Sequence, residues 1–106
     1  MKNDENVPRA VRYEKRIVIP EEKLRVHYLM YATAISERMV YDLEIRVIDP
    51  SGWDECTLCD VATSERMARR IWQIFTEETV MPITAEDILE QLLSDAAFLY
   101  FDEFET

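Results

Sequence analysis

Residues 39–49 read "MVYDLEIRVID", and this stretch decides the fold class. Apolar residues occupy its odd positions from Met39 to Val47, which is the period-2 pattern of a half-buried β-strand. The sequence "DPSG" at 49–52 predicts a turn, because Pro50 fixes φ and Gly52 tolerates a left-handed conformation. Residues 53–61 ("WDECTLCDV") predict the strand that returns from this turn as the second half of a hairpin.

Two further strands are predicted before this hairpin. "YEKRIVIP" at 13–20 is a short strand stopped by Pro20, and "LRVHYLMYAT" at 24–33 alternates between apolar and polar positions. Short connections favour antiparallel neighbours, so these segments form a three- or four-stranded meander. Residues 1–12 are polar and without periodicity, and we predict a flexible N-terminal arm there.

The apolar period changes from 2 to 3.6 near Thr63, which predicts a helix with Thr63 or Ser64 as its N-cap. Pro82 ends this segment, and a second helix is predicted with Thr84 as its N-cap and an apolar stripe that continues to Phe104. The predicted fold class is therefore α+β, an antiparallel meander followed by two helices packed on one sheet face. Residues 13–106 form one domain in this prediction.

Three segments also carry a resemblance. "VYDLEI" in a strand, "DVATSERM" entering a helix and "VMPITAEDILEQLL" after it make residues 24–93 similar to a family of small uncharacterised bacterial domains. The resemblance implies a compact domain, and it implies no activity, cofactor or catalytic residue.

The net charge of −10 is distributed unevenly along the 106 residues. Residues 1–36 have a net charge of +2, whereas no Lys or Arg follows Arg70 and nine acidic residues do. Such a chain repels phosphate backbones, so direct nucleic-acid binding is not expected. No apolar run approaches the roughly 20 residues that span a bilayer. With only two cysteines and no N-terminal apolar segment, a cytoplasmic protein without membrane contact is predicted.

The two cysteines, Cys56 and Cys59, form the sequence "CTLC", which has the spacing of zinc knuckles and thiol–disulfide sites. A closed zinc site needs four ligands, and His27 is the only histidine that can join them. Three residues apart on a strand, the two thiols point to opposite faces, and neighbouring acids disfavour a reactive thiolate. We therefore predict reduced, structural cysteines, with a metal or redox site at Cys56, Cys59 and His27 as the alternative.

His27 and the acids of residues 39–49 are the other candidates for chemistry. No nucleophile motif accompanies His27, so a structural histidine is predicted. Asp42 and Glu44 share one strand face about 7 Å apart, an arrangement that suits acid–base work or a divalent cation. Such a pair is also typical of a solvated strand face, and Arg46 beside it favours that interpretation. The acids of "DEFET" at 102–106 are likewise predicted to form a solvated chain end rather than a metal site.

The segment "AAFLYFDEF" at 96–104 is the strongest candidate for a binding surface. Large apolar side chains lie nearly all round this helical segment, which indicates burial on more than one side. Either the aromatics fold back on their own core, or they pair with a partner. The candidate interface residues are Phe98, Leu99, Phe101 and Phe104.

These observations predict a small acidic protein–protein interaction module, without a catalytic site or cofactor, that self-associates as a homodimer or binds another protein through its C-terminal helix. Two alternatives remain open. One is a metal- or thiol-dependent protein that uses Cys56 and Cys59. The other is an acidic mimic of nucleic acid that occupies a basic partner.

Overall fold

The computed structural model describes residues 9–99 and contains one four-stranded antiparallel sheet followed by two helices, which confirms the predicted fold class. The strands lie in the order β1-β2-β3-β4, so the meander has four strands. Their bounds are β1 (Arg9–Ile19), β2 (Leu24–Ile35), β3 (Arg38–Asp49) and β4 (Gly52–Leu58). The helices are α1 (Glu65–Glu77) and α2 (Pro82–Leu93), and a 3-10 turn at Pro20–Glu22 joins β1 to β2.

The core lies between the helices and one face of the sheet. The alternating residues of β2 and β3 supply the sheet side of this core, as the sequence pattern predicts. From α1 the buried apolar residues are Ala68, Ile71 and Phe75, which are spaced three and four apart and so share one helix face. The buried sheet residues on the helix side are Val26, Tyr28, Met30, Ala32, Tyr41, Leu43, Ile45 and Leu58.

Helix α1 begins as predicted, with Ser64 as its N-cap. The Ser64 hydroxyl oxygen accepts a hydrogen bond from the backbone N–H of Met67 at 3.1 Å, and Glu65 in the first turn favours the positive end of the helix dipole. Helix α2 differs from prediction, because its N-cap is Met81 and Pro82 occupies the first helical position. Proline needs no N–H partner there and has a helical φ, so Pro82 starts this helix rather than preceding it.

The strand ends also differ from prediction. β1 begins at Arg9, four residues earlier than predicted. Residues 9–12 therefore belong to the sheet and not to the predicted flexible arm. Residues 1–8 lie outside the described residues. A β-bulge between Val11 and Tyr13 lets this irregular segment continue the pairing with β2. β4 ends at Leu58, because Asp60 adopts a left-handed conformation with φ 54° that interrupts the strand, although the backbone N–H of Val61 still donates to the carbonyl of Tyr41 in β3 at 2.8 Å.

The predicted continuous helix up to Phe104 is wrong at residues 94–95. α2 ends at Leu93, where the Ser94 hydroxyl donates to the carbonyl of Glu90 at 2.8 Å. Residues 96–99 are helical again, and the Asp95 carboxylate accepts from the backbone N–H of Ala97 at 2.9 Å as an N-cap does. Residues 100–106 lie outside the described residues.

Tyr28 joins the centre of the sheet to the loop between the helices. Its side chain is fully buried, and its hydroxyl donates to the carbonyl of Val80 at 2.9 Å. Burial raises the pKa of this phenol to about 12. Tyr28 therefore holds the α1–α2 loop on the sheet through one buried hydrogen bond.

We expect Tyr28→Phe to lower the free energy of unfolding at neutral pH by about 1–3 kcal/mol, because the Val80 carbonyl loses its donor in a buried place. Urea unfolding measures this loss. Between pH 10 and 12 the folded protein keeps the Tyr28 proton that the unfolded chain releases, so stability falls as pH rises. In an absorbance titration at alkaline pH, Tyr28→Phe should remove a tyrosinate increment near pH 12. If the substitution removes an increment near pH 10 instead, this result would contradict a buried hydrogen bond between Tyr28 and Val80.

Candidate functional site: the open face of the sheet

One face of the sheet carries no helix of residues 9–99, and we call it the open face. The strand registers define it, since residues that pair across strands lie on the same side. From β1 it contains Arg9, Val11, Glu14, Arg16 and Val18; from β2, Arg25, His27, Leu29, Tyr31, Thr33 and Ile35. From β3 it contains Arg38, Val40, Asp42, Glu44, Arg46 and Ile48, and from β4, Trp53, Glu55 and Thr57.

Exposed apolar side chains mark both ends of the open face. Trp53 is 66% exposed, Val18 62% and Ile48 44%, and the three lie in one row across the sheet together with Arg25. At the opposite end, Val11 is 51% exposed and Ile35 47%. Contiguous exposed apolar groups rimmed by polar ones are typical of surfaces that bind other molecules.

The centre of the open face is nearly dry although no helix of the described chain covers it. Leu29 and Thr33 are each 8% exposed, and the side chain of Glu44 is 12% exposed. The neighbouring long side chains shield these residues, for example Arg9, whose guanidinium lies 3.7 Å from the centre of the Tyr31 ring. The predicted solvated strand face is therefore wrong for Glu44.

Two groups of ion pairs and hydrogen bonds lie around this centre, one on β1 and β2 and one on β2, β3 and β4, and together we call them the polar belt. The polar belt consists of Glu14, Arg16, His27, Tyr31, Glu44, Arg46 and Glu55. Glu14 lies 2.7 Å from His27 and 3.2 Å from Arg16. Arg46 donates to Glu44 at 2.8 Å and to Glu55 at 3.2 Å, and these partners raise its pKa.

The hydroxyl of Tyr31 completes the belt by donating to Glu44 at 3.0 Å. Burial, followed by this carboxylate, raises the pKa of Tyr31. Because each carboxylate of the belt already has a cationic or hydroxyl partner, the belt costs less to cover than isolated charges would.

The charge of the open face differs from that of the whole chain. Its strands present five arginines and four carboxylates, a net charge of +1 with His27 neutral, whereas the chain carries −10. The acidity is therefore concentrated elsewhere, for instance on α2, where Glu86, Asp87 and Glu90 are exposed. A nearly neutral face on an acidic protein can approach a protein surface without strong repulsion.

A concavity of about 500 Å³ lies at the Val11–Ile35 end of the open face. Its lining is apolar at Val40 and Ile35 and polar at Asp42 and Thr57, and the remaining walls are Arg9, Thr33 and Cys59. The concavity exists because β4 stops at Leu58 while β2 and β3 continue beyond it. It has the size of a pocket that receives a large side chain or a small ligand.

The structure separates the two cysteines as the strand geometry predicts. Cys56 packs against the core on the helix side, whereas Cys59 is exposed and lines the concavity on the open face. Burial and the nearby carboxylates of Asp54, Glu86 and Glu55 raise the pKa of the Cys56 thiol. Within residues 9–99, no group of three or more His, Cys, Asp or Glu side chains has the arrangement to hold a metal ion.

We expect the two thiols to react at different rates. In the variant Cys59→Ser only Cys56 can react, and in Cys56→Ser only Cys59 can. Cys56 should react with an aqueous alkylating reagent roughly tenfold more slowly than Cys59, because access to the Cys56 thiol and its thiolate fraction are both reduced. Time-resolved mass measurement gives both rates. Equal rates, or rapid formation of a Cys56–Cys59 disulfide in the wild type, would show that the two thiols share a face.

His27 and the acidic pair are accounted for by local partners. His27 lies in the polar belt beside Glu14, on the side of the sheet opposite to Cys56, so the three candidates Cys56, Cys59 and His27 do not form one cluster. Asp42 accepts from the backbone N–H of Asp60 at 2.8 Å and so fixes the turn after β4. Glu44 binds Tyr31 and Arg46, as described above.

The C-terminal aromatic residues are only partly within the described chain. Phe98 is half-buried and packs against the core, beside Ile74 and Leu92, whereas Leu99 is 40% exposed. Phe101 and Phe104 lie outside the described residues. The interface predicted for Phe98, Leu99, Phe101 and Phe104 therefore stays a prediction.

A second polar cluster joins β1 and β3 to the start of α1. Glu65 accepts from the hydroxyl of Tyr13 at 2.8 Å and from that of Tyr41 at 3.4 Å, and Arg12 lies 3.5 Å from the same carboxylate. The bulge at Arg12 turns this side chain towards Glu65, which is how bulges often redirect a residue. Its geometry is that of a structural tie between the edge strand and the helix layer.

Sequence reasoning did not identify Trp53, Ile48 and Val18 as functional candidates. The available signal was their position in the alternating pattern of the strands. Ile48 occupies one of the even-numbered positions of β3, where polar residues are expected, whereas the odd-numbered positions from Met39 to Val47 face the core. Apolar residues on the polar phase of several neighbouring strands predict a second apolar surface.

Comparisons with protein-family models, with curated proteins and with solved structures gave no match. The resemblance of residues 24–93 to small bacterial domains stays a prediction. Within the described residues, neither helix has the length and apolar character needed to cross a membrane.

Proposed function

We propose that this chain is a protein–protein interaction module and that the open face is its recognition surface. The single observation that carries the proposal is the combination found there, an internally paired polar belt between exposed apolar side chains at the two ends of the face. Protein interfaces have this composition, with apolar and aromatic groups, arginines, and polar groups that already have partners.

The charge of the open face favours a protein partner over a nucleic acid. A surface with a net charge of +1 on a chain of −10 offers no continuous basic track for phosphates. Its mixed signs suit a folded surface that also carries both signs. The face is also broad, since four strands spaced about 4.8 Å apart present it, and a broad flat surface fits a folded partner better than a single extended peptide.

The alternatives from the sequence have less support. A thiol or metal site at Cys56 and Cys59 requires the two side chains to converge, and they lie on opposite sides of the sheet. The acidic-mimic hypothesis depends on the helix layer, and it stays a prediction. We also propose a cytoplasmic location, supported by two cysteines that the fold keeps apart.

Site-specific photo-crosslinking in the expressing cell tests the proposed function. A photoreactive residue at Trp53 should give protein adducts, because a partner covers this position. The same residue at Ile83, which is 87% exposed on α2, is the matched control and should give few. The added substitution Arg46→Glu should reduce the Trp53 adducts. Equal adduct yields at the two positions, or none at Trp53, would contradict the proposal.

A further inference from the structure

We infer that the partner of the open face is a second copy of this chain, packed face to face about a two-fold axis that lies in the interface and runs across the strands. This inference rests on the proposed function and names its partner. Three features carry it: the order of charges along the strands, the match between Trp53 and the concavity, and the size of the face.

On β1 and β3, four charged residues of the open face lie in two adjacent rows of opposite sign, and Glu55 of β4 lies in the row of the arginines. Glu14 and Glu44 lie in one row, since both pair with Leu29, and Arg16 and Arg46 lie in the next row, since both pair with His27. β1 and β3 run in the same direction, so the order is acidic then basic on both strands. The rows are about 7 Å apart.

A two-fold axis across the strands, placed between these rows, brings each row opposite the other row of the second copy. Arg16 then faces Glu14 of the second copy, and Arg46 faces Glu44 of the second copy. Every such contact occurs twice, because a two-fold interface uses the same surface on both subunits. The arginines and glutamates of these two rows are therefore complementary between the two copies, while Glu55 faces Thr57 and Ile48 faces Asp42.

The other two-fold arrangement, with the axis parallel to the strands, pairs fewer opposite charges. It brings β2 of one copy over β3 of the other and β1 over β4, so that Arg16 faces Glu55, but Arg46 faces His27 and Glu44 faces Leu29. Only one of the two arginines then meets a carboxylate, whereas the axis across the strands gives both of them one. The charge order selects the axis that runs across the strands.

The same operation brings Trp53 to the concavity of the second copy. Trp53 lies one row beyond Arg46 and Glu55. The two-fold axis places it opposite the position of the second copy that is one row beyond Glu44 and Thr57, and this position is next to Cys59. The concavity of about 500 Å³ begins there. The most exposed aromatic side chain of the face thus meets this concavity, and each copy supplies one of each.

The size of the face fits a stable dimer. Four strands about 4.8 Å apart and up to 12 residues long span an area of roughly 700 Å². Specific interfaces bury about 800 Å² per partner. Two packed sheets lie about 10 Å apart with their strands within about 30° of each other, which is compatible with a twisted sheet stacked on its own copy.

A charge-exchange experiment tests this arrangement. Arg16→Glu alone and Glu14→Arg alone each place like charges opposite each other in a homodimer, so each should weaken self-association by roughly 10- to 100-fold. Mixed in equal amounts, they should form a heterodimer with wild-type affinity, because the glutamate introduced in one variant then faces the arginine introduced in the other. Sedimentation equilibrium of each variant and of the mixture measures this.

General attraction between the variants does not explain such a recovery. The substitutions change the net charge from −10 to −12 and to −8, so both variants remain strongly acidic. Lys15→Glu, on the other side of β1, also gives −12 and should leave self-association unchanged. The same exchange at Arg46 and Glu44 is a second test, and circular dichroism confirms that each variant is folded.

Three results would overturn the inference. The first is a wild type that stays monomeric at the highest attainable concentration. The second is a dimer that neither Arg16→Glu nor Glu14→Arg weakens, which would assign self-association to another surface, such as the C-terminal aromatics. The third is a mixture that remains monomeric. Adducts at Trp53 to a different protein would then still support the proposed function, so the two failures are distinguishable.

Discussion

Phe75→Ala should lower the free energy of unfolding by about 3–5 kcal/mol, the largest loss expected for a single truncation in this chain. Phe75 is fully buried on α1, four residues after Ile71, and both side chains lie in the layer between the helices and the sheet. Removing the ring leaves a cavity that the surrounding strands cannot fill, so the lost contacts add to the lost transfer free energy. Urea unfolding followed by circular dichroism measures the change.

Gln73→Ala is the matched control for this prediction, because Gln73 is exposed on the same helix. Its substitution should change the free energy of unfolding by less than about 0.5 kcal/mol. A loss below about 1 kcal/mol for Phe75→Ala would mean that α1 does not pack on the sheet as described.

Trp53→Ala should weaken self-association by about 2–4 kcal/mol, which is roughly a 30- to 1,000-fold rise in the dimer Kd. Trp53 is the most exposed aromatic side chain of the open face and the one expected to enter the concavity of the second copy. Tryptophans that fill pockets at an interface dominate its energy. Sedimentation equilibrium or dilution calorimetry gives the two dissociation constants.

The free energy of unfolding of the monomer should change little in Trp53→Ala, since the side chain is 66% exposed within one copy. Ile83→Ala, at an even more exposed position on α2, should leave the dimer Kd unchanged. Equal effects of the two substitutions on association would show that the open face has no special role.

The fold was predictable from the sequence because its signals are local. The alternation in β2 and β3, the turn at 49–52 and the 3.6-residue period of α1 each specify an element without tertiary information. Failures occurred where tertiary contacts compete with local preference. The bulge at Arg12 extends β1 to Arg9, and the side-chain bonds of Ser94 and Asp95 interrupt a helix whose apolar pattern continues.

The candidate site was less predictable, because it depends on the register between strands. The sequence shows that Glu44 and Arg46 share a face, but only the pairing with β1 through β2 shows that Glu14 and Arg16 continue the same two rows. The concavity depends on unequal strand lengths, which the position of Asp60 determines. These are relations between distant residues, and no local pattern encodes them.

The fluorescence of Trp53 is the most direct test of the claim that a second copy covers the open face. The chain has two tryptophans, and Trp72 lies against the rings of Tyr13 and Tyr28, so Trp72→Phe keeps an aromatic contact and leaves Trp53 as the only tryptophan. As the protein concentration rises through the dimer Kd, the Trp53 emission should shift to shorter wavelength and its quenching by acrylamide should fall. Emission and quenching of a solvent-exposed tryptophan at every concentration would contradict the account.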